Sequence, residues 1–267
     1  MTKKKSVGWE NYNSIRMLNI RKNFHKKYVK PLIDIDKEII QSLEFKGKRD
    51  VLDVGCGYGD LLSSIKTHTR GCRLTGVDIS EALIDNAKKN RKGIKFAVAD
   101  AQKLPFKKNY FDIVICKHVL CHVTDIKKAM REIHRVLKKG GILVIAQNTL
   151  TNSSRMHAER YRKYISQELN RRYLDTNHRF NLENYQKYVD GFIILREEKL
   201  FGYFISKNPG PMIDYINSMK DFYIPIPKDK DWKSVIHKLR MLIKREMRHS
   251  RMFVEAVGTG LIVLQKT

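Results

Sequence analysis

Glycine stands at every second position, 55, 57 and 59, directly behind the run Val51-Leu52-Asp53-Val54. An apolar run that breaks into glycines reads as a buried strand ending in a tight turn, with a helix launched near Asp60. Without a Cβ, the backbone of such a turn can come close to a ligand. A dinucleotide-binding turn would need G-x-G-x-x-G, with a pyrophosphate resting on the helix N-terminus. Its third glycine would fall at position 60, which is Asp60. A carboxylate there repels a pyrophosphate, so the dinucleotide reading loses ground.

Beyond the turn, short apolar runs alternate with helical patterns. Strands are expected at 50–54, 73–77, 94–98, 111–116 and 142–147, and helices at 81–90 and 125–137. Ile33, Ile35, Ile39, Ile40 and Leu43 make a helix that leads into the first strand. This alternation predicts a parallel sheet covered by helices and joined by right-handed crossovers. The strands are short apolar runs, as strands covered on both faces should be. Ligands then sit beyond the carboxyl ends of the strands, at the switch point beside the first one. Asp53, Asp78, Asp100 and Lys117 all fall at that edge.

Five segments, in order and at fitting spacing, resemble one family. Asp53-x-Gly55-x-Gly57-x-Gly59 resembles motif I of class I S-adenosylmethionine-dependent methyltransferases, in the small-molecule, methyltransferase type 11-like branch. Leu74 to Ser80 resembles the second strand with its ribose-holding acid, and Phe96 to Phe106 the third strand with the adenine-contacting turn. Phe111 to Val123 resembles the fourth strand and the active-site rim, and Arg135 to Ile145 the helix end, glycine turn and fifth strand. The resemblance covers about residues 45–150. It implies an α/β fold, a Rossmann-like seven-stranded sheet of order 3-2-1-4-5-7-6 with the last strand antiparallel, carrying helical cap insertions. It also implies S-adenosyl-L-methionine as cofactor and S-adenosyl-L-homocysteine as product. The implied cofactor residues are Asp53, Gly55, Cys56, Gly57, Gly59, Asp78, Ile79, Asp100, Ala101 and Lys117.

The chemistry of that cofactor suits acids. It carries no phosphate, but an ammonium, a sulfonium, a carboxylate, a ribose diol and an adenine. Asp53 suits the ammonium, and Asp78 can accept both ribose hydroxyls. Asp100 can accept the adenine amino group while the Ala101 N–H donates to the ring. Taken singly, each Asp could equally be a helix cap or a turn former. Three acids ending three consecutive strands favour a ligand.

The remainder reads as one domain, 1–267, with additions around the sheet. The resemblance implies that residues 1–45 form an N-terminal helical lid whose Trp9 and Tyr12 cap the pocket, with a surface helix or a basic arm as alternatives. The resemblance implies that segments 148–190 and 203–250 are cap insertions that build an acceptor pocket, with His157, Tyr161 and Tyr215 in its wall. A helix from Met156 to Tyr173 would set Tyr161, Tyr164, Ile165, Glu168 and Leu169 on one side. A later helix pairs an apolar face (Trp232, Val235, Ile236, Leu239) with a basic one (Lys233, Lys238, Arg240, Lys244, Arg245, Arg248). Residues 192 onward and 255–264 supply the sixth and seventh strands.

His118 and His122 follow the fourth strand and are the candidate bases; in a helix they would lie i, i+4 on one face. Cys116, His118, Cys121 and His122 crowd together, but on one junction rather than on two separated knuckles, so no metal site is expected. The four cysteines include no C-x-x-C pair and no disulfide framework. No apolar leader follows the first residues and no run of about 18 apolar residues occurs, so a cytoplasmic protein without a membrane span is expected.

The reaction implied is methyl transfer to an N or O atom of a small-molecule or modified-peptide, natural-product-like acceptor. The net charge of +25, from 53 Lys and Arg against 28 Asp and Glu, keeps an RNA partner open. That alternative is an rRNA or tRNA methyltransferase, although Cys116-Lys117-His118-Val119 stands where base-methylating enzymes carry N-P-P-Y. A non-catalytic protein binding the cofactor or RNA is a second alternative; the full motif set argues against it. The oligomeric state is left open. Salt separates the partners. An RNA held through roughly six to ten phosphates should lose about 10³- to 10⁵-fold in affinity between 50 and 200 mM salt, whereas a neutral acceptor should bind unchanged in a calorimetric titration.

Overall fold

The computed structural model describes residues 15–43, 47–69, 71–150, 155–170, 179–220, 230–250 and 252–267. In chain order its elements are α1 (Ile15–Tyr28), β1 (Val29–Lys30), α2 (Ile35–Gln41), β2 (Asp50–Val54), α3 (Asp60–His68), β3 (Arg73–Asp78), α4 (Glu81–Asn90) and β4 (Lys95–Val98). Then follow β5 (Phe111–Lys117), α5 (Ile126–Val136), β6 (Leu137–Asn148), α6 (Arg155–Leu169), β7 (Phe192–Ser206), α7 (Gly210–Asn217), α8 (Trp232–Ser250) and β8 (Phe253–Lys266). Short 3-10 helices stand at Leu120–His122 and Tyr185–Tyr188.

Side chains on the central strands alternate between two cores, which explains their uninterrupted apolar character. Leu52, Val54, Val114, Cys116, Leu143 and Ile145 face the core that α5 closes. Val51, Ile113, Ile115, Val144 and Ala146 face the other, where α2, α3 and α4 supply Ile39, Leu61, Leu62, Ile65 and Ile84. Helix α5 buries Ile126, Ala129, Met130, Ile133 and Val136 at i, i+3, i+4, i+7 and i+10, a single stripe. Asp125 caps it by accepting from the Lys128 N–H, and Leu137 ends it one residue earlier than expected by turning extended.

The sheet runs β1-β7-β8-β6-β5-β2-β3-β4. Strands β6, β5, β2, β3 and β4 are parallel, and β8 lies antiparallel between β6 and β7. This is the expected order with one strand added, since the described residues form eight strands rather than seven. The addition is β1, which pairs Val29 with Phe204 along the β7 edge. Two residues carry no periodicity, so no spacing along the chain marks that strand.

A third core lies over the far part of β7 and β8. Phe24 of α1, Tyr161, Ile165 and Leu169 of α6, Met212, Ile213 and Ile216 of α7 and Trp232, Val235 and Leu239 of α8 pack there around Phe204 and Phe253. Two boundaries of the expected caps move. The sheet continues through Ser206, so residues 203–206 belong to β7 and not to an insertion. Phe180, Leu182 and Tyr185, in the expected first insertion, instead join the α5 core. Helix α6 ends at Leu169, short of Tyr173, which lies outside the described residues. No described helix is long and apolar enough to cross a membrane.

The β7–β8 pair is close at Gly260, where an added Cβ would stand 2.0 Å from the Glu198 carbonyl oxygen. Backbone cannot give way cheaply, so Gly260→Ala is expected to cost about 1–3 kcal/mol in urea unfolding.

Candidate functional site

The turn after β2 is fixed by its neighbour. The Gly55 and Cys56 N–H groups both donate to the Val77 carbonyl, at 2.7 and 2.9 Å, which welds the turn to the end of β3. Gly55 sits at φ +76°, and a Cβ there would fall 2.0 Å from a Val119 methyl. Gly57, at φ +57°, has nothing within 4 Å of where a Cβ would project, so its backbone borders open space.

Asp78 holds the same turn. One of its carboxylate oxygens accepts from the Gly57 N–H and the other from the Ser80 N–H, each at 2.9 Å. Burial raises its pKa, against the pull of the Ser80, Gly57 and Ile79 N–H groups. Each oxygen can still accept a second hydrogen bond.

Asp53, at the end of β2, is 2 % exposed, and its Oδ1 has no hydrogen-bond partner within the protein. Burial pushes its pKa up to about 7; Asp36 and Asp78 add to the rise while Lys117 opposes it. Lys117 itself is held by Asp36 of α2, with Nζ 2.5 Å from Oδ1. Asp100 accepts from the Gln102 N–H at 2.8 Å and from the Gln102 amide at 3.1 Å. It borders the same cavity as Ile79 and Ala101.

Helix α1 lies over the glycine turn. Lys22 pairs with Asp60 at the start of α3, where Arg91 also reaches it at 2.5 Å, and Tyr58 donates to Asn19 at 2.8 Å. The carboxylate at position 60 is thus neutralised by two cations.

Asp36, Asp53, Asp60, Asp78, Asp100 and Lys117 border one cavity of about 1060 Å³, which extends to Tyr161, Tyr215 and Phe204. Tyr161 is buried and donates to Glu246; Tyr215 stacks on Phe24 with ring centroids 4.3 Å apart. Trp9 and Tyr12 lie outside the described residues, as does the side chain of His157.

The histidines sit at the rim, but not on an α-helix. His118 adopts φ +56° and its N–H donates to the Ala146 carbonyl, while His122 ends the 3-10 turn Leu120–His122. The expected i, i+4 pairing is therefore corrected: the left-handed residue breaks the helix before it begins. Burial, with the Lys117 charge second, pushes the pKa of His118 down to about 3, so its ring is neutral. Burial also pushes the Cys56 and Cys116 thiols far up, which makes them inert pocket backing. Among the described residues no group of three or more His, Cys, Asp or Glu could hold a metal ion.

Several lining residues had escaped sequence reasoning, among them Phe24, Asp36, Gln147 and Glu255. Gln147 alone left a local sign, a polar residue ending the apolar run of the fifth expected strand.

Residues 52–145 match the family model described as a methyltransferase domain, Methyltransf_11. Those residues form a class I S-adenosylmethionine-dependent methyltransferase domain. Among relatives, the chain is 35 % identical over 144 residues to a sterol 4-C-methyltransferase of Caenorhabditis elegans, covering 49 % of this chain and 42 % of that one. It is 39 % identical over 111 residues to a ubiquinone biosynthesis O-methyltransferase of Coxiella burnetii, covering 40 % and 46 %. The match thus spans less than half the length of these relatives. Among solved structures, the YcgJ protein of Bacillus subtilis superposes with a TM-score of 0.56 at 20 % identity, covering 86 % of this chain and 97 % of that one. The [4+2]-cyclase SpnF superposes at 0.60 and 18 % identity, covering 97 % and 94 %. At such identities the structures establish the fold alone.

The methyltransferase domain keeps a buried acid without a full set of partners, which has a cost that pH reveals. Stability tied to a neutral Asp53 is fully present below its ordinary value of 3.8, is lost as pH rises to about 7, and stays lost above. At about 1.4 kcal/mol per pKa unit the loss is on the order of 4 kcal/mol. Asp53→Asn should therefore gain on the wild type in melting temperature between pH 4 and 7, with the gap level above pH 7.

Proposed function

We propose that the chain transfers a methyl group from S-adenosyl-L-methionine to an N or O atom of a small-molecule acceptor. One observation carries the reading: a single cavity joins an acid-lined end at Asp53, Asp78 and Asp100 to an apolar end under α1, α6 and α7. A volume of about 1060 Å³ accommodates a nucleoside and a second small molecule, at the upper end for ligand pockets. Relatives named for a sterol and for ubiquinone biosynthesis support an acceptor of that size.

The residues fit the cofactor's charge pattern. The partnerless Asp53 oxygen would take the ammonium group, and Gly57 leaves its backbone clear for close approach. Asp78 would accept the ribose hydroxyls with its remaining lone pairs, and Asp100 with the Ala101 N–H would hold the adenine. When bound, the cofactor supplies a methyl group made electrophilic by its sulfonium. What the chain itself contributes is placement. The cap residues exclude water and aim the acceptor, which can lower a barrier by about 7–11 kcal/mol. His118, neutral and of low basicity, is a pocket wall that accepts hydrogen bonds rather than a strong base.

An RNA substrate keeps one supporting observation, the exposed row Lys233, Lys238, Lys244, Arg245 and Arg248 on α8. That row faces solvent on the helix side opposite the cap core, away from the cavity.

Calorimetry tests the cofactor directly. S-adenosyl-L-homocysteine should bind the wild type, and Asp78→Asn should weaken it tenfold or more, since an amide nitrogen cannot accept a ribose hydroxyl. Uptake of NAD or a nucleoside triphosphate in place of S-adenosyl-L-homocysteine would overturn the reading.

A further inference from the structure

Helix α8 carries a face that neither the cavity nor the cap core uses. Trp232, Val235, Leu239 and Ile243 turn into the core around Phe204 and Phe253. The opposite side exposes Lys233, Lys238, Met241, Lys244, Arg245 and Arg248, a single stripe at i, i+5, i+8, i+11, i+12 and i+15. No acid stands on that stripe. Glu246, the acid of the helix, is half-buried and accepts from Tyr161, and Asp231 caps the helix start just before the stripe begins. A solvated helix ordinarily interleaves both signs at i, i+4. Here Lys244 and Arg248 stand i, i+4, and among the described residues Lys238 is the stripe cation with an acid partner, Glu168 of α6 at 2.9 Å. Like charges one turn apart destabilise the free helix, and an anionic partner relieves them.

The make-up of the stripe narrows the partner. Its 19-residue helix is roughly 28 Å long. Single-stranded RNA is held where cations alternate with aromatic platforms, and no Phe, Tyr or Trp is exposed on the stripe. A sheet of anionic headgroups needs only cations that reach it. Met241, 51 % exposed, sits mid-stripe with Lys238, Lys244 and Arg245 one turn away on either side. An apolar side chain ringed by cations suits the boundary between headgroups and acyl chains. Helix α1 joins the same layer through α7, contains no acid, and exposes Arg16, Lys26 and Lys27. This layer lies across the sheet from α5, because Ile262 and Leu264 of β8 face the α5 core while Phe253, at odd spacing, faces the core beneath α8.

We propose that the outer stripe of α8 docks the protein along an anionic lipid surface, peripherally and without a membrane span. The docking stands on this surface alone; that it brings the cavity to a source of apolar acceptors rests on the methyl-transfer reading. The attraction fades beyond about 8 Å at physiological salt, so cations on the far side of the fold contribute little.

Vesicle co-sedimentation of the full chain tests the docking, and a matched control removes the general pull of a +25 net charge. The wild type should sediment with vesicles of phosphatidylcholine and phosphatidylglycerol, and stay in solution with phosphatidylcholine alone. Each basic side chain near an anionic surface is worth about fivefold in affinity. Lys244→Gln, Arg245→Gln and Arg248→Gln together should therefore weaken binding about a hundredfold, with the helix kept by the propensity of glutamine. Lys127→Gln, Lys128→Gln and Arg131→Gln, exposed on α5, remove the same charge and should change binding less than about fivefold. If the α8 triple variant unfolds, its three single variants, each expected to lose about fivefold, decide in its place. Equal loss in the α8 and α5 sets, or no binding to anionic vesicles, overturns the inference. Poly(U) at equal phosphate concentration should leave the protein on the vesicles; transfer to poly(U) gives the stripe to RNA and overturns it too. Sedimentation reads no cofactor, so its failure leaves the methyl-transfer reading standing, and failure of S-adenosyl-L-homocysteine to bind leaves the docking standing.

Discussion

The Asp78 carboxylate, anchored by the N–H groups of Gly57 and Ser80, sets the geometry that the rest of the site inherits. Together with the two N–H bonds into the Val77 carbonyl, it forces the chain leaving β2 to bend around the end of β3 before α3 begins. Without glycine at 55 that bend would collide with Val119, and so the turn and the β5 rim fit only as a pair. An acid that both shapes the turn and offers spare lone pairs to a ligand couples the fold of the site to its occupancy. The turn is thereby held rigid by backbone and carboxylate together.

The two ends of the cavity are built on different physical terms. At the first, charge dominates: Asp53, Asp36 and Lys117 form a short chain across two strands and the N-terminal helices, with the Asp53 carboxyl raised by burial. A cation arriving at Asp53 would reverse that destabilisation, the usual way in which a strained free site gives affinity to its ligand. At the other end, contact area dominates. Phe204 and Tyr215 each stack on Phe24, and α6, α7 and α8 close a core separate from those of the sheet. A separate core lets the cap change its lining while the sheet stays intact.

At the carboxyl end of the sheet, Asp53 Oδ1 and the side-chain amide of Gln147 are buried without hydrogen-bond partners within the protein. Asp50, buried at the amino end of β2, takes two hydrogen bonds from Arg73, and Asp112 is paired with Lys138. The contrast separates the two ends of the sheet: ion pairs at the amino end hold strands together, whereas at the carboxyl end Asp53 keeps a buried oxygen without a partner.

What the amino-acid order determined by itself was the layered sheet and its polar edge. The apolar runs around 51, 74, 113 and 143, each buried on both faces, alternate with helical stripes, and that periodicity is a local property of the chain. So is the glycine turn, since only its residue types permit the backbone it adopts. The strand order carried over from resemblance, with Asp53, Asp78 and Asp100 following from it. Tertiary structure alone decided the rest. Val29 and Lys30 became a strand because an unpaired β7 edge lay beside them, and Phe180 to Tyr185 joined the α5 core rather than the cap because β6 and β8 left room there. His118 lost its expected helical partner to a left-handed backbone, and the Gln147 side-chain amide is buried without a protein partner. Those outcomes depend on which surfaces meet across the fold, and no spacing along the chain encodes them.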